Sequence, residues 1–469
     1  MMSGFRRLCA STVVPPRWRA AATVVLSALS PLAGHGQDLP KATILRFSGS
    51  NGANPYGGFV EDKTGHLYGT TASGGSGDGV VFELMPTSDP EGTRKIEVLH
   101  EFLGNDDGND PLSSLALFKG NLYGTTFVGG SGSNGCYADG LGCGTVFELV
   151  APSGTEKKWT YSVLYRFSSV ESDNDGAMPG GYGNGGGVYV DDSGTIYGTT
   201  SQGGGTSCTA PGEGCGVFYE ISPGGGYSIL YRFQGGSDAN APSGTLIPGP
   251  GGMLYGTSEF GGNTGSSCIW GSLGCGTVFA LSPSGSETVI YAFSGGADGS
   301  NPSAGLAVDS SGNLYGTTSY GGSAKQGTVF MLTKGSGWTE SVIHAFTGGK
   351  DGSAPEAAPA IVGGEVLGTT PSGGDAACAS GSGCGIAFAL DPPKTGSSEW
   401  TEKILHRFTG GADGDGPVSG LFAGTAGLYG TTLSGGAASD SNGTGHGTAF
   451  LLYAAPVARC GSCAAPNKN

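Results

Sequence analysis

A short motif, Leu-Tyr-Gly-Thr-Thr, recurs seven times along the 469-residue chain and constrains its fold more than any other feature. Successive motif glycines are 55, 74, 58, 60, 52 and 62 residues apart. A period of this size is typical of repeat proteins, in which each repeat buries its apolar face against its neighbours. The seven copies, some with substitutions, occupy residues 67–71, 122–126, 196–200, 254–258, 314–318, 366–370 and 428–432.

Each copy is accompanied by three further segments in a fixed order. A short apolar segment precedes the motif, a Gly-Thr-Val-Phe segment such as 327–332 follows it, and an alternating segment ending in Phe, such as 289–293, comes last. Short runs rich in Val, Ile, Tyr and Phe between Gly-rich turns are typical of strands. Four strands per repeat, here named a to d from the axis outward, predict an all-β, seven-bladed β-propeller.

The two ends of the repeat region support a closed ring. The region begins with a Phe-ending strand at 44–47 and finishes with the Gly-Thr-x-Phe strand at 447–452. Each strand type therefore occurs seven times only if the N-terminal strand completes the last blade, which removes exposed sheet edges. A β-helix is the main alternative, but its coils need far fewer than 52 residues. We assign residues 38–453 to the propeller and residues 454–469 to a C-terminal tail.

The first 37 residues have the pattern of a signal peptide. A positively charged region precedes an apolar run at 20–29 and small residues that suit cleavage. A membrane anchor is the alternative, but about ten apolar residues are too few to span a bilayer. The sequence therefore predicts an exported protein, extracellular or periplasmic, without membrane insertion after cleavage. The charged and small residues are Arg6, Arg7, Arg17, Arg19, Ala33, Gly34 and Gly36.

The chain is strongly acidic. Its formal net charge is −16, and removal of residues 1–37, which hold four arginines and no acidic residue, lowers this charge to −20. Such a charge argues against nucleic acids and anionic membrane surfaces as partners. Cationic ligands remain possible.

The cysteines predict disulfide bonds. Of the eleven, Cys9 lies in the predicted signal peptide, and eight form four close pairs between strands b and c. Pairs within single loops of an exported protein indicate disulfides. Zinc is the alternative for the loops, and a redox-active pair is the alternative for the two cysteines of the tail. The predicted pairs are Cys136/Cys143, Cys208/Cys215, Cys268/Cys275, Cys378/Cys384 and Cys460/Cys463.

The connection from strand d to the next strand a carries the pattern Asp/Asn-Gly/Ala-x-x-Pro in all seven repeats. An Asx-turn explains it, because the carboxylate can accept a backbone N–H while Pro begins the inner strand. The alternative is a Ca²⁺ site, since Asp oxygens suit hard cations. The candidate metal ligands are Asp107, Asp175, Asp298 and Asp413.

Two aromatic residues fall inside the cysteine loops and are the candidate ligand-binding residues, namely Tyr137 and Trp270. Exposed rings on rigid loops can stack on sugars, although simple loop packing is the alternative. Three other tryptophans precede the d strands and are expected to pack between blades. His100, His344 and His406 occupy a d-strand position that is Tyr in other repeats, so a structural role is expected.

The combined pattern Leu-Tyr-Gly-Thr-Thr-x-x-Gly-Gly, Gly-Thr-Val-Phe and Tyr-x-Phe-x-Gly-Gly-x-Asp-Gly-x-x-Pro resembles the GloVer tandem repeat of exported bacterial proteins. The resemblance covers residues 42–452, is strongest at 314–332, and departs at Leu367 and Ala387. It implies export and a propeller-like repeat, and it supplies no catalytic residues.

Three functions are compatible with this sequence. The first is a monomeric, non-catalytic propeller that binds a carbohydrate, peptide or cell-surface component through the face with the cysteine loops. The second is a polysaccharide lyase, glycosidase or lactonase, which needs one blade with an acid or base that the others lack. The third is a structural envelope protein without a ligand. No nucleophile elbow, zinc-protease helix or phosphate-binding loop is present in the sequence, and we expect no resident cofactor.

Overall fold

Seven antiparallel sheets, one per repeat, form the blades of a β-propeller in a computed structural model of the chain. The structure describes residues 39–130, 136, 141–168, 175–181, 186–205, 208, 214–374, 378, 381–436 and 445–453. The predicted signal peptide and C-terminal tail, with Cys9, Cys460 and Cys463, lie outside these residues. None of the described segments is a helix long and apolar enough to cross a membrane.

Within each blade the strands follow the chain from the inside outward, in the order a, b, c and d. Four short 3-10 turns, Asn105–Asp107, Pro250–Gly252, Gly271–Leu273 and Gly411–Asp413, lie between strands. The strands are, for blade 1, β2 (Val60–Glu61), β3 (Leu67–Thr71), β4 (Val80–Leu84) and β5 (Ile96–Glu101); for blade 2, β6 (Ala116–Phe118), β7 (Asn121–Thr126), β8 (Thr145–Val150) and β9 (Thr160–Arg166); for blade 3, β10 (Ala177–Pro179), β11 (Tyr189–Val190), β12 (Ile196–Gln202), β13 (Val217–Ile221) and β14 (Tyr227–Arg232); for blade 4, β15 (Ala239–Pro248), β16 (Leu254–Gly261), β17 (Thr277–Leu281) and β18 (Glu287–Ala292); for blade 5, β19 (Ala307–Val308), β20 (Leu314–Thr318), β21 (Thr328–Lys334) and β22 (Trp338–Ala345); for blade 6, β23 (Ala360–Val362), β24 (Glu365–Thr370), β25 (Ile386–Asp391) and β26 (Thr401–Arg407); and for blade 7, β27 (Phe422–Ala423), β28 (Leu428–Thr432), β29 (Thr448–Leu452) and β1 (Lys41–Arg46).

The ring closes as the sequence predicts. The N-terminal strand β1 pairs antiparallel with β29, from Lys41 opposite Leu452 to Arg46 opposite Thr448. Blade 7 therefore takes its outer strand from one end of the described chain and its inner three from the other. Blade 3 differs slightly from the prediction, because its inner strand is divided into β10 and β11, which both pair with β12.

The motif glycine makes room for a large aromatic ring. In blade 4, Gly256 of strand b lies directly opposite Phe279 of strand c. A Cβ atom on Gly256 would come within 2.7 Å of the Phe279 ring, a contact that a packed core does not tolerate. The same Gly-aromatic pairing recurs in the other blades, with Phe82, Phe147, Tyr219, Phe330, Phe388 and Phe450.

These strand-c rings join neighbouring blades. The Phe at the end of each d strand is fully buried and packs edge-to-face or tilted against the strand-c ring of the next blade. The seven pairs, with centroid separations of 5.1–5.5 Å, are Phe47–Phe82, Phe102–Phe147, Phe167–Tyr219, Phe233–Phe279, Phe293–Phe330, Phe346–Phe388 and Phe408–Phe450.

The two motif threonines have separate structural roles. The first Thr of several copies bonds to the next blade, as when Thr70 Oγ1 donates to the carbonyl of Ser113 at 2.8 Å and Thr369 Oγ1 to that of Ser419 at 2.9 Å. The second position, Thr or Ser, donates in every copy to the carbonyl two residues later, as from Thr318 to Tyr320 at 2.9 Å. The first Thr thus links blades, and the second fixes the start of the b–c loop.

The glycine before strand c is also an inter-blade contact. Gly327 has a φ of 92°, a left-handed conformation that favours glycine. A Cβ atom there would lie 2.6 Å from Cδ of Pro355, the proline of the next Asp-Gly-x-x-Pro turn. The turn and strand residues therefore recur in the same order in each repeat because they contact the neighbouring blade.

The tryptophans before the d strands pack between blades as predicted. Each contacts the motif Tyr of the preceding blade, with ring centroids 5.7–6.2 Å apart. The pairs are Tyr68–Trp159, Tyr255–Trp338 and Tyr315–Trp400. The buried residues accordingly fall into seven clusters, each shared by two adjacent blades.

Acidic side chains are also enclosed between the outer strands of blades 3 to 6. Burial, with a contribution from Asp298, raises the pKa of Glu340 to about 7. Burial and Asp351 raise the pKa of Glu402 to about 8, against the opposing effect of Arg407. Burial and the neighbouring Asp238 carboxylate also raise the pKa of Glu287. These carboxyl groups hold a proton more strongly in the folded protein than in the unfolded chain.

We predict that Gly256→Ala lowers the free energy of unfolding by about 1–3 kcal/mol, because the added methyl group overpacks the contact with Phe279. Gly337→Ala is the matched control, since a Cβ atom there meets nothing within 4 Å. Urea unfolding followed by tryptophan fluorescence measures both variants. Equal midpoints for the two variants would contradict the proposed role of the motif glycine.

We also predict that the melting temperature falls as the pH rises from 6 to 9. A folded-state pKa raised above the unfolded value adds stability below the unfolded pKa, and this stability is lost as the pH rises through the folded pKa. Differential scanning calorimetry of Glu340→Gln/Glu402→Gln should show a flatter pH dependence, because glutamine does not titrate. The exposed Glu399→Gln should retain the wild-type slope, and an unchanged slope in the double variant would refute this explanation.

Candidate functional site

The d–a connections and the b–c loops form one face of the propeller, here called the loop face. Backbone bridges join the two sets, as at Ser300 with Tyr320 and Ser353 with Ser372. The first of these pairs exchanges two hydrogen bonds of 2.8 and 3.1 Å. The cysteine loops and the Asp turns therefore lie together, as the up-and-down strand order requires.

The Asp turns are closed by their own carboxylates. Asp298 accepts hydrogen bonds from Ser294 N at 2.7 Å and from the Tyr291 hydroxyl at 3.1 Å. Asp413 accepts from Thr409 N at 2.9 Å and bonds to His406 Nε2 at 3.2 Å. In both turns the carboxylate accepts a backbone N–H, as the sequence analysis expects, but the donor lies four residues before the Asp, whereas the donor of an Asx-turn lies two residues after it. The turn carboxylate also explains why the outer strand carries Tyr or His at one position, since both reach the Asp.

The other candidate metal ligands have similar contacts. Asp107 accepts from Leu103 N at 3.2 Å, and Asp175 accepts from the Tyr165 hydroxyl at 2.8 Å. The Asp413 carboxylate also bonds to the Lys41 ammonium at 2.9 Å, which supplies a cation from the protein itself.

A Ca²⁺ site would require several oxygens to converge. Within the described residues, three potential donors converge at Cys378, Cys384 and Asp415, where both sulfurs belong to a disulfide. None of the four candidate aspartates is part of that group. The metal hypothesis therefore stays a prediction.

Four disulfides anchor loops on this face. In each, the Cα atoms lie within the range that a disulfide spans, and the second cysteine is almost completely buried. The bonds, with Cα–Cα distances of 5.3, 5.5, 4.9 and 5.5 Å, are Cys136–Cys143, Cys208–Cys215, Cys268–Cys275 and Cys378–Cys384.

Other side chains replace the second cysteine in blades 1, 5 and 7. They are Asp78, Gln326 and His446, and each faces the glycine of the following turn, as His446 faces Gly49. Disulfide sulfurs occupy the equivalent place in other blades, as those of Cys208 and Cys215 lie next to Gly235 of the adjacent turn.

A cleft of about 440 Å³ lies between the loops of blades 3 and 4. We call it the Trp270 groove. Trp270 is 53% exposed and stands edge-to-face with Phe260 at 6.5 Å. It lies two residues after Cys268, so the disulfide restrains the loop that presents the indole. The other lining residues include Gln202, Asn240, Glu259 and Leu273.

Trp270 was predicted from the sequence as an exposed ring on a stapled loop, and the structure places it in this groove. The other candidate ligand-binding residue, Tyr137, lies outside the described residues. Phe260 and Glu259 were missed. Both follow the Thr-Thr position of blade 4, where most other repeats have small or aliphatic residues. A comparison of the seven copies at this position would have identified the acidic residue.

Glu259 is the unusual ionisable group of the groove. Burial, with a contribution from the Glu356 carboxylate, raises the pKa of Glu259 to about 7. A carboxyl group with such a pKa can donate a hydrogen bond or a proton near neutral pH. Glu356 begins the inner part of blade 6, where the equivalent residues of the other repeats are Tyr56, Leu112, Gly180, Ser243, Ser303 and Val418.

These acids lie toward the propeller axis. Burial, Glu356 and Asp110 together raise the pKa of the Tyr56 phenol. Groups from blades 1, 2 and 6 therefore interact electrostatically across the ring. The central cavity measures about 260 Å³, and its lining mixes small residues with larger apolar ones such as Phe59, Ile247 and Leu421. The loop-face end of the axis therefore carries an acidic group that the seven-fold repeat does not contain.

The chain was compared with solved structures and with curated proteins. A putative gluconolactonase has 14% sequence identity and a TM-score of 0.34, with 65% of this chain and 83% of that chain covered. For a luciferin-regenerating enzyme the values are 10%, 0.38, 71% and 88%. For a mutant of AofleA from Arthrobotrys oligospora they are 9%, 0.39, 83% and 94%. A comparison with curated proteins found no match.

The repeat itself identifies the family. The family model described as the Gloeobacter/Verrucomicrobia repeat matches residues 38–204 and 138–382, which together cover most of the chain. These matches contain six of the seven motif copies, whose glycines, threonines and aromatic residues make inter-blade contacts described above. The chain therefore belongs to the Gloeobacter/Verrucomicrobia repeat family.

Proposed function

We propose that the protein binds a carbohydrate through the Trp270 groove of the loop face, without catalysing a reaction. The observation that carries this proposal is the exposed Trp270 indole on a disulfide-restrained loop. It lies beside the Phe260 ring, and amide and carboxyl groups line the same groove. The apolar C–H face of a pyranose can pack on an aromatic ring. Its hydroxyl groups can then pair with Gln202, Asn240 and Glu259, which lie in the same groove.

The position of the groove supports this assignment. Phe260 belongs to strand b of blade 4, β16, where it lies opposite Asn240 of the inner strand β15. These parts of the site are held by backbone pairing before any ligand arrives, so little conformational entropy is lost on binding. The Cys268–Cys275 bond restrains the remaining part.

Export accompanies the proposed function. Disulfides persist in oxidising compartments, and four of them hold the loop face. We therefore place the mature protein outside the cytoplasm, where polysaccharides and cell-surface glycans are accessible.

Trp270→Ala is predicted to weaken carbohydrate binding at least about tenfold, which corresponds to about 1.4 kcal/mol. A glycan array first identifies oligosaccharides bound by the wild-type protein, and calorimetry with the best of them then compares variants. Tyr320→Ala is the matched control, because Tyr320 is 39% exposed and occupies the Phe260 position in blade 5. The absence of any bound glycan, or equal affinities of the two variants, would rule out this site.

A second prediction concerns processing. Expressed in a bacterial host, the full chain should lose residues 1–37 and appear outside the cytoplasm with its loop cysteines oxidised. Mass spectrometry of the mature protein, with and without reduction, gives both the new N-terminus and the number of disulfides. A chain without residues 1–37 should remain in the cytoplasm with free thiols, and retention of residues 1–37 in exported material would contradict the signal assignment.

An enzyme is the second candidate, and one observation favours it. Glu259 combines a pKa of about 7 with a nearby carboxylate, Glu356, and a carboxyl group that titrates near neutral pH can serve as a general acid. A glycosidase, polysaccharide lyase or lactonase could use Glu259 as a general acid. The wild-type protein and Glu259→Gln separate the two functions when incubated with the bound glycan. Turnover that is lost in the variant supports an enzyme, and binding without turnover in both supports the lectin-like function.

A further inference from the structure

The Trp270 groove has one charged side chain among its described lining residues, and that side chain is acidic. It is Glu259, which is half-buried near the end of strand β16. None of the ion pairs between described residues includes Glu259. The groove therefore offers a ligand a carboxyl group that no basic side chain of the described residues neutralises.

The two cysteine loops beside the groove supply no cation either. Neither residues 203–216 nor residues 261–276 include a lysine, an arginine or a histidine. This also holds for 206–207 and 209–213, which lie outside the described residues and read Thr-Ser and Thr-Ala-Pro-Gly-Glu. Arg232 of the outer strand β14 reaches the first loop, where it donates to the Gly204 carbonyl at 2.9 Å, but it does not line the groove.

The acid is particular to blade 4, and its backbone is firmly held. Strand β16 pairs with β15 on both sides of Glu259, at Ser258 and at Phe260. Asn301 Nδ2 of the next turn donates to the Glu259 carbonyl at 3.1 Å. The position directly after the Leu-Tyr-Gly-Thr-Thr motif is uncharged in the other repeats, where it holds Ala72, Phe127, Ser201, Ser319, Pro371 and Leu433.

Three electrostatic effects favour a positively charged group at this place. A buried carboxylate without a partner is costly, and this burial is the main cause of the raised pKa of Glu259. A ligand ammonium would stabilise the ionised carboxylate. The faces of the Trp270 and Phe260 rings, which stand edge-to-face at 6.5 Å, also attract cations. The net charge of −16 draws cations toward the surface.

We propose that the Trp270 groove selects saccharides that carry a free amino group, with the ammonium on Glu259 and the pyranose ring against Trp270. This inference rests on the proposed carbohydrate-binding function and specifies its ligand class. Amino sugars combine an apolar C–H face with a nearby positive charge. Neutral sugars lack the charge, and uronic acids would be repelled by the Glu259 carboxylate.

The test is calorimetric titration of the mature protein at pH 6.5 and low ionic strength, where free amino groups are largely protonated. The ligands are three β-1,4-linked trisaccharides that share one ring geometry, the trimers of glucosamine, of N-acetylglucosamine and of glucose. We expect the glucosamine trimer to bind about tenfold more tightly than either neutral trimer, since charge-assisted contacts are among the strongest polar interactions. Added salt should reduce this preference.

Two matched variants assign the preference to one carboxyl group. Glu259→Gln should bring the affinity ratio of the glucosamine and glucose trimers close to one. Glu399→Gln also removes one acidic group, from the exposed c–d turn of blade 6 on the opposite face, and should keep the wild-type ratio. Trp270→Ala should weaken the binding of both trimers.

A peptide probe separates sugar recognition from simple attraction of charge. Trilysine carries several ammonium groups without a pyranose face, and it should bind more weakly than the glucosamine trimer. Trilysine binding of equal affinity would overturn the proposal in favour of a basic peptide ligand.

The remaining outcomes distinguish this inference from the proposed function. Equal affinities for the three trimers, or a preference that persists in Glu259→Gln, would overturn the amino-sugar inference and leave carbohydrate binding intact as long as Trp270→Ala weakens it. Failure of all three trimers to bind would also overturn the inference. The proposed function itself fails only if the glycan array shows no bound glycan or if binding does not depend on Trp270.

Discussion

The rest of the structure depends on the contact between two aromatic rings at each blade junction. A Phe at the end of one blade's outer strand packs against the strand-c ring of the next blade, as Phe293 packs on Phe330 at 5.1 Å. Edge-to-face pairs of this kind add about 0.5–1.5 kcal/mol beyond the area they bury. The strand-c ring fits only because a glycine lies opposite it in strand b. Each blade thus needs its neighbour, and the ring as a whole needs β1 to close it.

This frame leaves the loop face free to vary. Backbone bridges, hydrogen bonds to the turn carboxylates, and either a disulfide or a side chain such as Gln326 hold each turn. The other loop side chains therefore contribute little to the stability of the turns. Glu259 and Trp270 both occupy such positions. They are departures from the repeat, and a repeat protein gains binding specificity where its copies differ. The proposed carbohydrate groove follows from this division between a repeated frame and individual loops.

Much of the frame could be predicted from the sequence because its contacts recur in fixed positions. The blade number, the closing strand, the loop disulfides and the packing of Trp338 against a neighbouring blade each follow from a pattern that repeats along the chain. The sites could be predicted only in part. Trp270 was identifiable as an aromatic residue inside a stapled loop, but Glu259 acquires its raised pKa through burial and through Glu356, which lies almost one hundred residues away in sequence.

The sequence by itself determined the architecture, because seven copies of a unit with an apolar face on either side can satisfy one another only as a ring. It also determined which loops are anchored, through paired cysteines that are close along the chain. The tertiary structure decided which loop residues meet. Gln202 and Trp270 belong to different blades, and they line one groove only because the ring brings blades 3 and 4 together. Local patterns specify local contacts, whereas a pocket between blades exists only after the sheets have packed.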